Sequence, residues 1–309
     1  MDKTDTTAIM DEFKRIVEYI MTPSTPVFVV GGLIVLLVPL LIHFLITRTT
    51  PYTTLSSIVL AGPPGGGKTS LLTLLERGDA AAPTHTSQAA HAVELTVSTD
   101  GGAPTFREAA RDDAPGKHRK FLLVDTPGHG KLRGHALGRL GRGSGGEESH
   151  QALLKGVVFV VDSAALDDDD DNNALSDAAA YLYDVLLALQ RRAAGAGNRS
   201  ARRPDAVPLL IAANKNDLFT ALPAALVKSS LEAELGRIRQ SRSKGLLDSG
   251  VGADDDVGSE EQDGWLGEYG SEKFSFAQMR EFDIDVQVVG GSVLEGQVDK
   301  WWDWIAGQI

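Results

Sequence analysis

No cysteine occurs among the 309 residues, which excludes disulfides and thiolate metal centres and fits a reducing compartment. Positive charge is scarce as well: 30 Lys and Arg stand against 42 Asp and Glu, for a net charge of −12. Neutralising nucleic-acid phosphates or anionic lipid requires clustered Lys and Arg, so no direct nucleic-acid contact is expected. Lipid-attachment signals are also missing. The chain starts Met1-Asp2 instead of Met-Gly and ends Ala306-Gly307-Gln308-Ile309 instead of in a prenylation box, so any membrane attachment is expected to use the polypeptide itself.

What the chain does have is one long apolar run. Residues 27–46 read VFVVGGLIVLLVPLLIHFLI, 20 residues with no formal charge apart from His43. That length suits a single transmembrane helix. A cleaved secretory signal fits less well, because the run starts late and is followed by Thr47-Arg48-Thr49-Thr50-Pro51, not by small residues. Gly31, Gly32 and Pro39 are tolerated in such helices, and His43, near the far end, is expected to snorkel. Residues 1–26 form an N-terminal luminal or interfacial segment, in which Ile9, Met10, Phe13, Ile16, Val17, Ile20 and Met21 recur at helical spacing. Residues 47–56 are a linker, with a reach of at most roughly 35 Å.

After this linker comes Gly62-Pro63-Pro64-Gly65-Gly66-Gly67-Lys68-Thr69, between the apolar run Ser57-Ile58-Val59-Leu60-Ala61 and a helix-like stretch from Thr69 to Glu76. Glycines let successive N–H groups turn toward phosphate oxygens, a lysine adds charge at the β and γ phosphates, and a threonine hydroxyl suits Mg²⁺. The pattern implies a bound nucleoside triphosphate held by Gly62, Gly65, Gly66, Gly67, Lys68, Thr69 and Ser70. Such a ligand is cytosolic. The charges flanking the apolar run (Lys14 and Arg15 before, Arg48 after) weakly favour a cytosolic N-terminus, but the phosphate loop outweighs them and places residues 47–309 in the cytosol.

A second motif, Asn214-Lys215-Asn216-Asp217, comes after the buried-strand pattern of residues 207–213. A carboxylate accepts two parallel hydrogen bonds, and guanine presents N1–H and the N2 amine side by side, whereas adenine would leave Asp217 unpaired. Asn214 would brace the phosphate loop and Lys215 would pack along the purine. Between the two motifs lies Phe121-Leu122-Leu123-Val124-Asp125-Thr126-Pro127-Gly128-His129. There Asp125 can hold Mg²⁺ through water and the Gly128 amide can read a γ-phosphate, making this loop a switch. A first switch falls at Pro83-Thr84-His85-Thr86-Ser87-Gln88, with Thr84 or Thr86 as the hydroxyl ligand and Thr86 preferred.

In order and spacing these anchors resemble Ras-like GTPases over residues 55–309. A membrane span directly before an Arf-like domain, with Asp-Thr-Pro-Gly-His in the second switch and Thr-x-Thr-Ser in the first, resembles the family of signal recognition particle receptor β subunits. The resemblance implies a GTP- and Mg²⁺-dependent switch with the small-GTPase phosphate-loop fold. Its GTP form would bind the N-terminal domain of the receptor's α subunit at the endoplasmic reticulum for co-translational targeting. It also implies that Ser292, after the last strand, stands where the family's final guanine-contacting motif lies. His129 would replace the glutamine that positions the attacking water, which predicts slow or partner-dependent hydrolysis. Two alternatives carry the same motifs: an Arf- or Sar-like turnover GTPase of vesicle coats, and a scaffold with structural, unhydrolysed GTP.

Alternating strand and helix patterns over residues 57–309 predict an α/β domain. Its expected form is a mostly parallel six-stranded sheet with helices on both faces and nucleotide at the C-terminal strand edges. Three solvated insertions, 141–149, 167–173 and 243–270, are too rich in Gly, Ser and acid to repay ordering and are expected to be disordered. In the closing helix Trp301 and Trp304 are expected on the sheet, with Trp302 left for a partner or a half-exposed edge.

Overall fold

The computed structural model describes residues 14, 15, 18, 25–49, 55–78, 83–98, 118–141, 153–166, 173–196, 207–248, 265–267 and 273–309. The chain divides into two units, Met1–Thr53 and Thr54–Ile309. The first holds helix α1, Thr25–Thr49. Its described apolar side chains, Phe28, Val29 and the run from Leu33 to Phe44, are exposed. Among the described residues no helix is long and apolar enough to cross a membrane. The stripe expected over residues 9–21 lies outside the described residues; 14, 15 and 18, which fall between its members, are helical and exposed.

The second unit is built on six strands: β1 Ser56–Ala61, β2 His91–Ser98, β3 His118–Asp125, β4 Leu153–Asp162, β5 Leu209–Asn214 and β6 Val286–Gly290. Their order is β2-β3-β1-β4-β5-β6, with every pair parallel except β2–β3. Among the described residues the α-helices of this unit are α2 Lys68–Arg77, α3 Arg133–Gly141, α4 Ala174–Ala196, α5 Ala224–Asp248 and α6 Asp299–Gln308.

Two cores arise from the period-two alternation of the strands. Ile58 and Leu60 of β1, Phe121 and Leu123 of β3, and Val158 and Val160 of β4 pack with the leucines of α2 and the tryptophans of α6. Val59 and Ala61, with Val157, Phe159 and Val161, face the opposite way onto α4 and α5. The sheet is therefore covered on both sides, the six-stranded α/β arrangement expected of a small GTPase.

Two expectations are corrected. Trp302 is 3% exposed and packs near Phe121 at 6.2 Å between ring centroids. At 100° per residue Trp301, Trp302, Trp304 and Ile305 span a sector of about 160°, wide enough to bury every one of them where α6 nests into the sheet. The stretch 243–270 is not one solvated insertion, because α5 continues through 248 and residues 265–267 return to the core. Leu266 is buried, the Arg239 guanidinium lies 4.7 Å from the centre of the Trp265 ring, and Gln190 bonds both the Trp265 carbonyl and the Gly267 amide at 2.9 Å. Composition hides this anchor, which is Trp265-Leu266-Gly267 embedded in acid. Residues 142–149 and 167–172 lie outside the described residues, while 141 closes α3 and 173 precedes α4.

Candidate functional site

Parallel strands leave their C-terminal ends on one edge, and all three sequence motifs emerge there. β1 ends at Ala61 and turns through residues 62–67 into α2. Gly62, Gly65 and Gly67 have φ of 132°, 78° and 99°, a region that disfavours any side chain. Space is equally short: a Cβ on Gly67 would lie 2.2 Å from Asn214 Nδ2. The turn folds around Lys68, which is 5% exposed and donates from Nζ to the Gly62 and Pro63 carbonyls at 2.9 and 2.8 Å. Burial pulls the Lys68 ammonium down to about 8 from its ordinary 10.5; Asp125 opposes the shift and Arg133 adds to it.

Beside it Thr69 Oγ1 donates to Asp125 Oδ2 at 2.7 Å. Asp125 is 1% exposed, and its Oδ1 is buried without a hydrogen-bond partner. Burial pushes this carboxyl above the usual range, against the pull of the Thr69 hydroxyl and the Lys68 charge. An orphaned carboxylate oxygen next to a threonine hydroxyl is a fit for a divalent cation. Among the described residues no three His, Cys, Asp or Glu side chains form a metal-binding group. A cation here would therefore rely on the single Asp125 carboxylate and the Thr69 hydroxyl together with phosphate and water oxygens, a donor set that suits Mg²⁺.

The second switch closes over this point. A Cβ on Gly128 would lie 2.6 Å from Lys68 Nζ and 2.7 Å from Gly62 O and Pro64 N, so only glycine fits. His129 is exposed, and its Nδ1 accepts from the Lys131 amide at 3.3 Å, capping the short 3₁₀ turn Gly130–Leu132. Arg133, first residue of α3, lies 4.6 Å from the centre of the buried Tyr181 ring. In the first switch Thr86 is exposed, while Thr84 Oγ1 lies 2.9 Å from Ser70 Oγ. Thr84, the other candidate, is thus the one that meets the first turn of α2, and Ser87 stands close enough to act on Asp125. Arg133 is not legible as a site residue from its local sequence, and Ser87 falls within the first-switch run without being singled out there.

The base motif leaves β5 and is tied to the phosphate loop. Asn214 is buried, with Nδ2 donating to Gly66 O at 2.8 Å and Oδ1 accepting from Val293 N at 3.0 Å. Ser292 Oγ donates to Asp217 Oδ1 at 2.5 Å, so the residues expected to read the base are brought together across 75 positions. Lys215 has φ 66° and pairs with Asp162 at the end of β4. Motif reading misses Asp162, although it carries the signal that marks Asn214: a polar residue directly after a buried strand.

Comparisons agree with this geometry. A model of the family described as signal recognition particle receptor beta subunit matches residues 53–282. The Saccharomyces cerevisiae signal recognition particle receptor subunit beta is 29% identical over 249 residues, covering 81% of this chain and 82% of that one. The signal recognition particle receptor SRb-GTP/SRX complex from Chaetomium thermophilum shares 41% identity at a TM-score of 0.68, covering 82% of this chain and 100% of that one. The SRb-GDP-Mg structure from the same organism shares 43% identity at a TM-score of 0.59, with 84% of this chain and 100% of that one covered. The family match spans most of the chain and includes the phosphate loop, both switches and the base motif, and on these grounds the chain belongs to the family of signal recognition particle receptor beta subunits.

Proposed function

We propose that this chain is a membrane-anchored GTP-binding switch whose GTP form recruits the receptor's α subunit to the endoplasmic reticulum for co-translational targeting. Family membership supports a GTPase role in signal recognition particle receptor function. The observation that carries the nucleotide reading is Asn214, whose amide joins the phosphate loop to the loop holding Asp217 and Ser292. Phosphate and base are thereby held at a fixed separation. Lys68 and the glycine amides would hold the phosphates, Thr69 and Asp125 would hold Mg²⁺, and Lys215, Asp217 and Ser292 would contact guanine. Bound Mg²⁺ would supply charge neutralisation between the β and γ phosphates.

In this reading residues 27–46 cross the bilayer, residues 1–26 are luminal and the GTPase domain is cytosolic. The uncharged 20-residue run supports it, as does the exposure of the apolar side chains described in α1. Gly128 packed on Lys68 gives the nucleotide its lever on a partner: a γ-phosphate must displace or reorder the second switch, which changes the surface from Gly128 to Gly141. The solved SRb-GTP/SRX complex from Chaetomium thermophilum is consistent with a partner that recognises the GTP form. His129, exposed and held by the Lys131 amide, supports slow hydrolysis unless a partner reorients it.

Isolating the chain from its native membrane tests this. Extraction is expected to require detergent, and the purified material is expected to carry guanine nucleotide and the α subunit. Release by alkaline carbonate alone, or material free of the α subunit when loaded with GTP, would contradict the proposal.

A further inference from the structure

The carboxylate of Asp162 belongs to none of the three motifs, yet it makes two directed contacts at the base-reading edge. Its Oδ2 accepts from Lys215 Nζ, and its Oδ1 accepts from the Ala164 amide at 3.1 Å. The sheet puts it there: Asp162 is the last residue of β4 and stands in register with Asn214 of β5. The next residue completes a clamp. Ser163, fully buried, donates to the Asn214 carbonyl from both its amide, at 3.0 Å, and its hydroxyl, at 2.5 Å. The Leu222 amide in turn donates to the Ser163 carbonyl at 3.0 Å, closing the loop from residue 214 to 222 onto β4.

Lys215 needs such a clamp. Its φ of 66° is left-handed, a conformation that is unfavourable for a lysine and persists only where the surroundings fix it. A lysine stem is also flexible, and packing it along one face of a purine means giving up rotamer freedom. An anion placed at the far end of the stem removes much of that cost before ligand arrives. The ammonium is tied down while the methylenes stay available, and Lys215 is still 37% exposed.

We infer that Asp162 is a positioning residue for guanine-nucleotide affinity, acting by holding Lys215 extended across the purine-binding edge. The inference rests on the guanine reading of Asp217. It places the effect of Asp162 entirely in Lys215: removing the carboxylate harms binding only if a lysine is present to be held.

A double-mutant cycle on the full chain in mild detergent tests this, with GDP affinity measured for the wild type, Asp162→Asn, Lys215→Met and the pair. Asparagine keeps an Oδ1 for the Ala164 amide, so the turn survives and thermal unfolding is expected to match wild type. Asp162→Asn is expected to weaken GDP roughly tenfold, and adding it to Lys215→Met is expected to cost less than about twofold more. A tenfold loss in both backgrounds would overturn the inference, as would no loss in either. If Asp162→Asn does not fold, Asp162→Ser, which keeps a turn acceptor, enters the same cycle with the same expected result. A wild type that takes up no guanine nucleotide removes the guanine reading itself, and the inference with it; normal wild-type uptake with additive mutants removes the inference alone.

Discussion

Asp217→Asn is expected to move the chain's preference from guanine to xanthine nucleotides. The proposed carboxylate accepts N1–H and the N2 amine of guanine as two charge-assisted bonds. An asparagine in the same pose keeps one acceptor for N1–H but turns a donor toward the N2 amine, which leaves two donors facing each other. Losing one such bond and creating a clash costs roughly 3 kcal/mol, about a hundredfold in affinity. Xanthine carries a carbonyl where guanine carries the amine, so the asparagine amide has its acceptor back. The fold is not expected to suffer, because Ser292 Oγ donates to Asp217 Oδ1, an acceptor that asparagine retains. Competition titrations with GDP and XDP read the outcome directly. A variant that still prefers guanine would show that Asp217 does not read the base.

Lys68→Ala is expected to abolish triphosphate retention, by about a thousandfold or more. A unit charge near 4 Å from a phosphate at an effective dielectric near 20 contributes about 4 kcal/mol. The turn is built to keep that charge, with two backbone carbonyls on the ammonium at the bottom of a buried cradle. The pH response gives a second signature. With its pKa pulled down to about 8, free Lys68 loses its proton above that pH, while phosphate holds the proton on the bound form. Affinity should therefore fall as pH rises above about 8, by as much as tenfold per unit. Stability of the nucleotide-free chain moves the other way. Between pH 8 and 10.5 the unfolded lysine binds more proton than the folded one, so this group makes the fold more stable as pH rises through that window. Nucleotide titration of the wild type from pH 7 to 10 reads the first slope, and the second should vanish from thermal melts of Lys68→Ala over the same range.

The sheet and the site edge are legible in the sequence because their signals are local. Continuous apolar runs such as Val157-Val158-Phe159-Val160-Val161 mark strands buried on both faces, and Gly, Lys and Asp at fixed offsets mark the turns that leave them. The features that escape such reading depend on contacts between distant segments. Ser70 and Thr84 meet across 14 positions, and it is that contact which separates Thr84 from the exposed Thr86. Arg239 seats Trp265 from a helix 26 positions upstream, and no composition window reveals that a tryptophan within an acidic stretch has a cation waiting for it. Trp302 departs from expectation for a simpler reason: helical spacing alone underestimates how wide a face large indoles can bury. Asp162 is within reach of sequence reading once the residue after each buried strand is weighed, whether or not that strand ends in a known motif.

Base selectivity of the unmodified chain can be read without any variant. With the full chain in detergent, stripped of nucleotide and supplied with Mg²⁺, competition between fluorescent GDP and unlabelled GTP, GDP, ATP and ADP measures base selectivity at equilibrium. Both guanosine phosphates are expected to compete at least about a hundredfold more strongly than their adenosine counterparts. Equal competition by ADP and GDP, or no saturable uptake of either, would contradict the guanine reading.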